Sequence, residues 1–401
     1  MKLHRINLVL LCFILFASLA AGNLPAENLV RSYSVPELQA LSAILIDQET
    51  GAVLFEKNAD IEIPPASLTK LMTMHLLLSE IEAGRRSFAD TLEVPPAACW
   101  TNLPPGSSLM FLGPGQTVTL EELLLGLAVS SGNDAARAAA ILLDGSVDRF
   151  VDRMNAEAEA LGFGHIRFYD PAGLSPVSRI TAREFADFCR LYIELHPESL
   201  ERFHSRKKFT YPKTGAAFTQ RNRNLLLWTY DDLDGLKTGY IDESGYNVAL
   251  TAERDGMRLI AVILGGRGET HPEGRRLLAE DGAALLDYGF ENWVQLRPEG
   301  IDYGSVTVWK GKKDSLGLEP AVPVVVTVEK RCIDGLEISF RRRPYLTAPV
   351  LPGTPAGTMT VRCADREIGR FPLHTTSGVE EAGAVKRLFH SLAMWVRRIK
   401  K

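Results

Sequence analysis

Three short polar motifs follow one another along the 401-residue chain and together could activate a serine. Ser67 and Lys70 are three residues apart, and at the start of a helix this spacing puts both side chains on one face, one turn apart. Serine is a weak nucleophile until a base takes its proton. A lysine can be that base if burial or nearby positive charge lowers its pKa. The pattern therefore predicts a nucleophile at Ser67 with Lys70 as its base.

The same serine–lysine spacing recurs at Ser205 and Lys208, so the spacing alone has little specificity. The other two motifs distinguish the pairs. Ser131-Gly132-Asn133 and Lys237-Thr238-Gly239 both follow Ser67, in the order required of penicillin-binding proteins and related β-lactamases. No serine-x-asparagine follows Ser205, and its match is interpreted as chance.

A second Lys-Thr-Gly begins at Lys213, after Tyr211 and a proline, in a polar stretch that no strand follows. The copy at Lys237 leads through Tyr240 and Gly245 into apolar, strand-like sequence. A motif on an edge strand beside the site needs that context. The sequence favours Lys237, and Lys213 is interpreted as a solvated turn lysine.

Helical and strand-like periodicity surrounds the motifs and must position them. Alternation across residues 41–57 predicts a β-hairpin, and residues 248–264 predict two strands joined at Asp255-Gly256. Apolar residues at helical spacing predict helices over 68–82, 120–129 and 134–143. Helices and strands mixed in this way favour an α/β layered domain.

The last third of the chain changes character twice. Short β-type runs separated by Gly and Pro predict a small all-β domain over 298–376. The segment 379–401 then predicts an amphipathic helix with a long apolar stripe and a dense basic cluster, which is typical of a peripheral contact with a membrane interface. The alternative is a terminal helix docked on the protein itself.

Residues 1–21 have the basic, apolar, small-residue order of a secretory signal peptide. An uncleaved anchor is the alternative, but the apolar run is short for spanning a bilayer. Export would leave four cysteines, of which Cys332 and Cys363 either pair or stay free. None has a neighbouring histidine, so nothing supports a cysteine nucleophile.

Bulk composition excludes several classes of protein. Apolar residues make up 46% of the chain and charged residues 23%, which argues against wholesale disorder. The net charge of −4 gives no global attraction to nucleic acid. The eight histidines have no zinc-hydrolase spacing, and no glycine-rich phosphate loop follows a strand. We therefore expect neither a metal nor a cofactor.

The motifs in their order resemble the low-molecular-mass penicillin-binding proteins, the serine D-alanyl-D-alanine carboxypeptidases of peptidase family S11. The stretches that carry the resemblance are 65–73, 108–136, 171–174, 222–226 and 234–266. The resemblance implies a β-lactamase/transpeptidase-like catalytic domain over 24–297, built as an antiparallel sheet with helices. It extends by position and pattern to the β domain and the tail.

The family's catalytic roles carry over onto matching residues. The resemblance implies that Ser67 attacks the carbonyl between the last two D-alanines of a peptidoglycan stem peptide. Lys70 would accept the serine proton, and Ser131 would relay it to the leaving amine. β-Lactams mimic the same peptide end and are expected to acylate Ser67.

Substrate-binding roles follow in the same way. Asn133 would hold the substrate backbone and orient the lysine base. Lys237 and Thr238, followed by Gly239, would bind the terminal carboxylate. The backbone N–H groups of Tyr240 and of the nucleophile would form an oxyanion hole. These residues, with the stem peptide as partner, complete the predicted site.

Two other functions remain open from the sequence. A β-lactamase shares the three motifs, but no segment clearly supplies the extra base that fast deacylation needs. A non-catalytic penicillin-binding sensor or wall-binding scaffold is the second alternative. The signal peptide and the tail together predict an exported protein on the outer, periplasmic face of the cytoplasmic membrane.

Overall fold

The structure is a computed structural model that describes residues 35–211 and 218–399. The predicted signal peptide and the Lys-Thr-Gly copy at 213–215 lie outside the described residues. A strand, Phe218–Arg221, follows that copy, so the expectation that no strand follows it is wrong. The α-helices are α1 (Lys70–Glu82), α2 (Leu120–Leu125), α3 (Asn133–Asp144), α4 (Val147–Ala160), α5 (Ala182–Leu195), α6 (Leu226–Thr229), α7 (His271–Asn292) and α8 (Ala384–Ile399).

The strands alternate with these helices and then dominate the last third of the chain. They are β1 (Ser42–Asp47), β2 (Val53–Lys57), β3 (Thr91–Glu93), β4 (Thr117–Thr119), β5 (Lys208–Tyr211), β6 (Phe218–Arg221), β7 (Leu233–Ile241), β8 (Gly245–Arg254), β9 (Met257–Gly266), β10 (Trp293–Leu296), β11 (Ser305–Trp309), β12 (Ser315–Pro320), β13 (Val326–Glu329), β14 (Leu336–Arg342), β15 (Leu346–Thr347), β16 (Pro355–Cys363) and β17 (Arg366–Thr375).

A five-stranded antiparallel sheet, in the order β2-β1-β9-β8-β7, forms the centre of the catalytic region. Strands β1, β8 and β9 at its centre are buried along most of their length because both faces are covered. Ile44 and Ile46 pack into one cluster with α1, α3 and α5, whereas Ala43 and Leu45 pack into a second with α7. The edge strand β7 carries Lys237. The predicted α/β layering is confirmed.

The predicted helix over 120–129 is α-helical only as far as Leu125. It begins at a capping box between Thr119 and Glu122. A π-helical turn, Gly126–Ser130, then ends at Ser131, whose φ is 55°. A left-handed backbone at a non-glycine residue is uncommon and is concentrated at functional sites. The irregular turn reverses the chain so that the second motif faces the first, which local periodicity does not predict.

Helix α7 approaches the sheet closely because it presents glycine at the contact. A Cβ at Gly274 would overlap the ring of Tyr246, and one at Gly282 would lie 2.6 Å from Leu250 Cδ1. Real Cβ atoms do not approach that closely without a shift. The glycines therefore set the distance between α7 and strand β8.

The C-terminal region forms a second core around a mostly antiparallel sheet, in which β11 and β15 pair in parallel. A six-stranded sheet in the order β14-β16-β17-β12-β11-β15 packs with the pair β10-β13 around its own apolar cluster. Cys332 and Cys363 form a disulfide there, whereas Cys99 and Cys189 are free and buried. The β domain was predicted to begin at 298, but β10 already pairs with β13.

The terminal helix α8 begins at Ala384, later than the predicted start at 379. Val379 is instead buried and pairs with Val350 in the β domain. The expected terminal amphipathic helix is otherwise present. Within the described ranges, no helix has both the length and the apolar character needed to cross a membrane.

Gly274→Ala should lower the free energy of unfolding by about 1–3 kcal/mol, because the new methyl group overpacks against Tyr246. Thermal and denaturant unfolding measure the change. Gly164→Ala is the control, since its Cβ would meet nothing nearer than Glu184 Oε1 at 4.0 Å. Equal stability of the two variants would contradict the close approach of α7.

Candidate active site

Ser67 lies in the 3-10 turn Ala66–Thr69 that opens directly into α1. Ala66 has a left-handed φ of 50°, and the strained turn leaves Ser67 partly exposed while Lys70 is fully buried. Two glycines allow other segments to reach this turn. A Cβ at Gly239 would lie 2.9 Å from the Ser67 nitrogen, and one at Gly173 would overlap the Ala66 carbonyl oxygen.

The Lys70 amine has three oxygen neighbours. Its Nζ lies 2.8 Å from Ser67 Oγ, 2.8 Å from Asn133 Oδ1 and 2.6 Å from the Ala172 carbonyl oxygen. The last two can only accept hydrogen bonds. A neutral amine would donate its two N–H groups to these oxygens and direct its lone pair towards the Ser67 hydroxyl. That is the geometry of a base.

Burial also sets the protonation state of Lys70. It lowers the Lys70 pKa to about 7; the carboxylate of Asp170 opposes this shift, and the positive charge of Arg223 adds to it. A substantial fraction of the amine is therefore neutral near pH 7. Lys70 is suited to accept a proton under physiological conditions.

Asp170, which sequence reasoning did not single out, presents the carbonyl that holds Lys70. Its Oδ1 accepts hydrogen bonds from the N–H groups of Ala172 at 2.7 Å and Gly173 at 2.6 Å, and its Oδ2 accepts from Ser175 at 2.7 Å. This turn directs the Ala172 oxygen at the amine. The aspartate-proline start of the segment is the only local signal.

The second motif enters from the start of α3. Ser131 is buried and lines the same cavity as Ser67, and Asn133 holds Lys70 as described. Asp134, the next residue, is fully buried and accepts from the N–H groups of Met110 and Leu112 at 2.8 and 2.9 Å. Burial raises the Asp134 pKa, and those backbone hydrogen bonds oppose the shift. Asp134 thereby fastens residues 108–112 beside the site.

The third motif lies on β7. Lys237 is almost fully buried, and its Nζ donates to the carbonyl oxygen of Thr238 at 2.9 Å. Burial, followed by the positive charges of Lys70 and Arg223, lowers the Lys237 pKa well below its usual value. An anion arriving here would relieve that penalty.

His204 stabilises strand β7 through a hydrogen bond to its backbone. It is fully buried, with Nδ1 3.1 Å from the Leu236 carbonyl oxygen and Nε2 2.8 Å from Tyr192 Oη. Burial lowers the His204 pKa to about 4, so the ring is neutral, Nδ1 donates and Nε2 accepts. The lone histidine gave no sequence signal of this role.

A cavity of about 350 Å³ joins five of the eight predicted site residues, whereas Lys70, Asn133 and Lys237 are not part of its lining. Ser67, Ser131, Thr238, Gly239 and Tyr240 all line it. Sequence reasoning placed 222–226 in a matching stretch but gave Arg223 no role. The structure puts Arg223 in the cavity wall, where its Nη1 donates to Ser108 Oγ at 2.6 Å. In the described part of the chain, no group of His, Cys, Asp and Glu residues could hold a metal ion.

Two family models match the chain. Residues 30–268 match the D-alanyl-D-alanine carboxypeptidase family, peptidase S11, and residues 293–381 match the C-terminal domain of penicillin-binding protein 5. The chain belongs to peptidase family S11. The resemblance expected from the three motifs is thereby confirmed.

Individual relatives of this S11 peptidase agree in sequence and fold. The chain is 34% identical over 371 residues to the D-alanyl-D-alanine carboxypeptidase DacC of Escherichia coli, covering 91% of this chain and 90% of the relative. Penicillin-binding protein 5 of Haemophilus influenzae matches with a TM-score of 0.79 and 30% identity, over 87% of this chain and 99% of its own.

A third relative carries a bound β-lactam. Penicillin-binding protein D2 of Listeria monocytogenes, in its cefotaxime-bound form, matches at 30% identity and a TM-score of 0.56, over 64% of this chain and 99% of its own. With the Haemophilus structure, it confirms the transpeptidase-like fold expected of the S11 peptidase's catalytic domain.

The rate of Ser67 acylation by a fluorescent penicillin should rise with pH and level off above about pH 8, because neutral Lys70 is the base and its pKa is about 7. Below that pKa the rate should fall about tenfold per pH unit. The acylation rate is measured at each pH by stopping the labelling reaction at set times and quantifying the labelled protein on a gel.

Lys70→Ala should lose acylation, whereas Lys213→Ala should be nearly silent and keep the parent pH profile. A flat profile in the parent enzyme would contradict the assignment of Lys70 as the base. Equal loss in both variants would mean that the functional Lys-Thr-Gly is the copy at Lys213.

Proposed function

We propose that the chain removes the terminal D-alanine from peptidoglycan stem pentapeptides through an acyl-enzyme on Ser67. The contact between the buried Lys70 amine and Ser67 Oγ, at 2.8 Å, carries this proposal. Membership of peptidase family S11 supports the carboxypeptidase over a β-lactamase or a non-catalytic sensor. Ser67 and Thr238 line the same cavity, which supports a substrate with a free carboxylate.

Acylation begins when Lys70 takes the Ser67 proton and Oγ attacks the carbonyl carbon of the scissile amide. The oxyanion needs donors aimed at its position. The backbone N–H groups of Ser67 and Tyr240 supply them, and the lack of a side chain at Gly239 lets those two segments approach closely. Ser131 then passes a proton to the leaving amine as the amide bond breaks.

Selection for a free C-terminus follows from the charge at β7. The carboxylate of the terminal D-alanine pairs with Lys237 and the Thr238 hydroxyl. A buried cation without a counter-ion is unfavourable, so binding of the anion also stabilises the ammonium form of Lys237. Water then attacks the remaining ester and regenerates Ser67. β-Lactams, which present the same carboxylate, acylate the same oxygen.

A peptide ending in D-alanyl-D-alanine should release free D-alanine, and Ser67→Ala should reduce the rate by roughly a thousandfold or more because the nucleophile is lost. Chiral chromatography of the products measures the release. Penicillin turnover many times faster than peptide turnover would favour the β-lactamase instead. No labelling of the parent enzyme by fluorescent penicillin would favour a non-catalytic role.

We also propose that the protein is exported and rests on the outer face of the cytoplasmic membrane through α8. The helix contacts the β domain with its polar side. His390 Nδ1 accepts from the Lys310 N–H at 2.7 Å, and Lys386 pairs with Asp314 at 2.8 Å. The apolar stripe points away from the protein, with Leu388 72% exposed and Leu392 59% exposed.

If α8 were docked as part of the core, its apolar face would be buried against the protein and its polar face would be exposed. An exposed apolar stripe beside basic residues is typical of helices that lie in a membrane interface. The order of the first 21 residues supports export. The contacts of the polar side and the exposure of the apolar side both support this proposal.

Leu392→Glu should weaken sedimentation of the protein with vesicles that contain anionic lipid, because it places a charge in the apolar stripe. Ser391→Glu is the matched control, being adjacent, exposed and outside the stripe. Truncation after Gly383 should abolish binding while sparing Val379 in the β core. Unchanged sedimentation of the truncated protein would contradict the anchor.

A further inference from the structure

The active-site cavity continues past Thr238 into a part that the proposed reaction does not use. Thr238 pairs with Val248 and Tyr240 pairs with Tyr246, so these four residues share one face of the sheet, the face that α7 covers. The cavity runs between this face and α7, where Leu278 forms part of its wall. A substrate residue whose carboxylate binds at Thr238 therefore has open space beside it.

The rim of this extension is positively charged. Arg223 and Arg275 both line the cavity, together with His271, and the lining contains no aspartate or glutamate. Neither guanidinium forms an ion pair with a carboxylate of residues 35–211 or 218–399. Arg275 uses Nε to donate to the His271 carbonyl oxygen at 3.2 Å, which leaves its terminal nitrogens available. Two uncompensated cations beside one cavity favour an anionic occupant.

The rim is held in place by the docking of α7. The ring of Tyr246 packs against Gly274, and its Oη lies 2.8 Å from His271 Nδ1. The edge of His271 also contacts Tyr240, with ring centroids 4.7 Å apart. Arg275 lies one turn further along the same helix face. The start of α7, which carries Arg275, is thus fixed relative to the third motif.

We propose that this extension binds an acidic side chain on the C-terminal residue of the substrate, so that the enzyme also releases acidic D-amino acids such as D-glutamate. This inference rests on the proposed carboxypeptidase function. The main-chain carboxylate of the terminal residue pairs with Lys237 and Thr238, and the side-chain carboxylate of the same residue reaches Arg275. The chemistry is unchanged: the amide bond breaks, Ser67 keeps the acyl group, and the amino acid leaves with the relayed proton.

Two substrates of the same shape, one with a charged and one with a neutral terminal side chain, isolate the effect of the side-chain charge. One peptide ends in D-alanyl-D-glutamate and the other in D-alanyl-D-glutamine, and the ratio of their kcat/KM values is measured. The ratio should be about three to ten in the parent enzyme, as expected for one partly exposed guanidinium–carboxylate pair. Arg275→Gln should bring it to about one. Arg276→Gln is the matched control and should keep the parent ratio, because Arg276 lies outside the cavity and pairs with Glu280.

Fluorescent penicillin counts the active sites in each preparation, and thermal unfolding verifies that each variant is folded. A parent ratio near one, no turnover of either peptide, or an unchanged ratio in Arg275→Gln would each overturn the acidic subsite. The peptide ending in D-alanyl-D-alanine is run in parallel. Its failure to release D-alanine would overturn the proposed function as well, whereas normal release without a glutamate preference would overturn this inference alone.

Discussion

The active site depends on one buried amine. Lys70 is fully removed from solvent, and burial is what lowers its pKa to about 7. The amine can occupy that position only because Asn133 and the Ala172 carbonyl accept its two N–H groups. The segments that carry those acceptors are far apart in sequence. Lys70 can therefore act as a base only once the helices have packed over the central sheet.

Charges of both signs surround this amine. Arg223 lowers the Lys70 pKa and Asp170 opposes that effect, so burial is the main cause of the shift. The lining of the neighbouring cavity includes Arg223 and no carboxylate, which favours an anionic substrate. Lys237, whose own pKa is lowered by burial, would be stabilised as an ammonium ion when that anion binds.

Two close packing contacts align the parts that meet at the nucleophile. Gly239 lets the edge strand touch the Ser67 turn, and Gly274 lets α7 approach the sheet. The first contact brings together the two proposed oxyanion donors, and the second places the start of α7 beside the third motif. At the other end of the molecule, α8 docks by its polar side, which frees its apolar stripe. In each case, contacts with other segments decide which face of the helix or strand is packed against the protein.

The sequence by itself determined the family, through its three motifs, and the α/β class, and it predicted a nucleophile and its base, because residue type, order and periodicity are local properties of the chain. It also predicted the β-hairpin at 41–57 and the helix at 134–143 to within a few residues. The tertiary structure alone decided the pairing of Cys332 with Cys363, the orientation of α8, and the roles of Asp170, His204 and Arg223. These depend on contacts between segments distant in the chain, and burial, which sets the Lys70 pKa, exists only once those segments have packed.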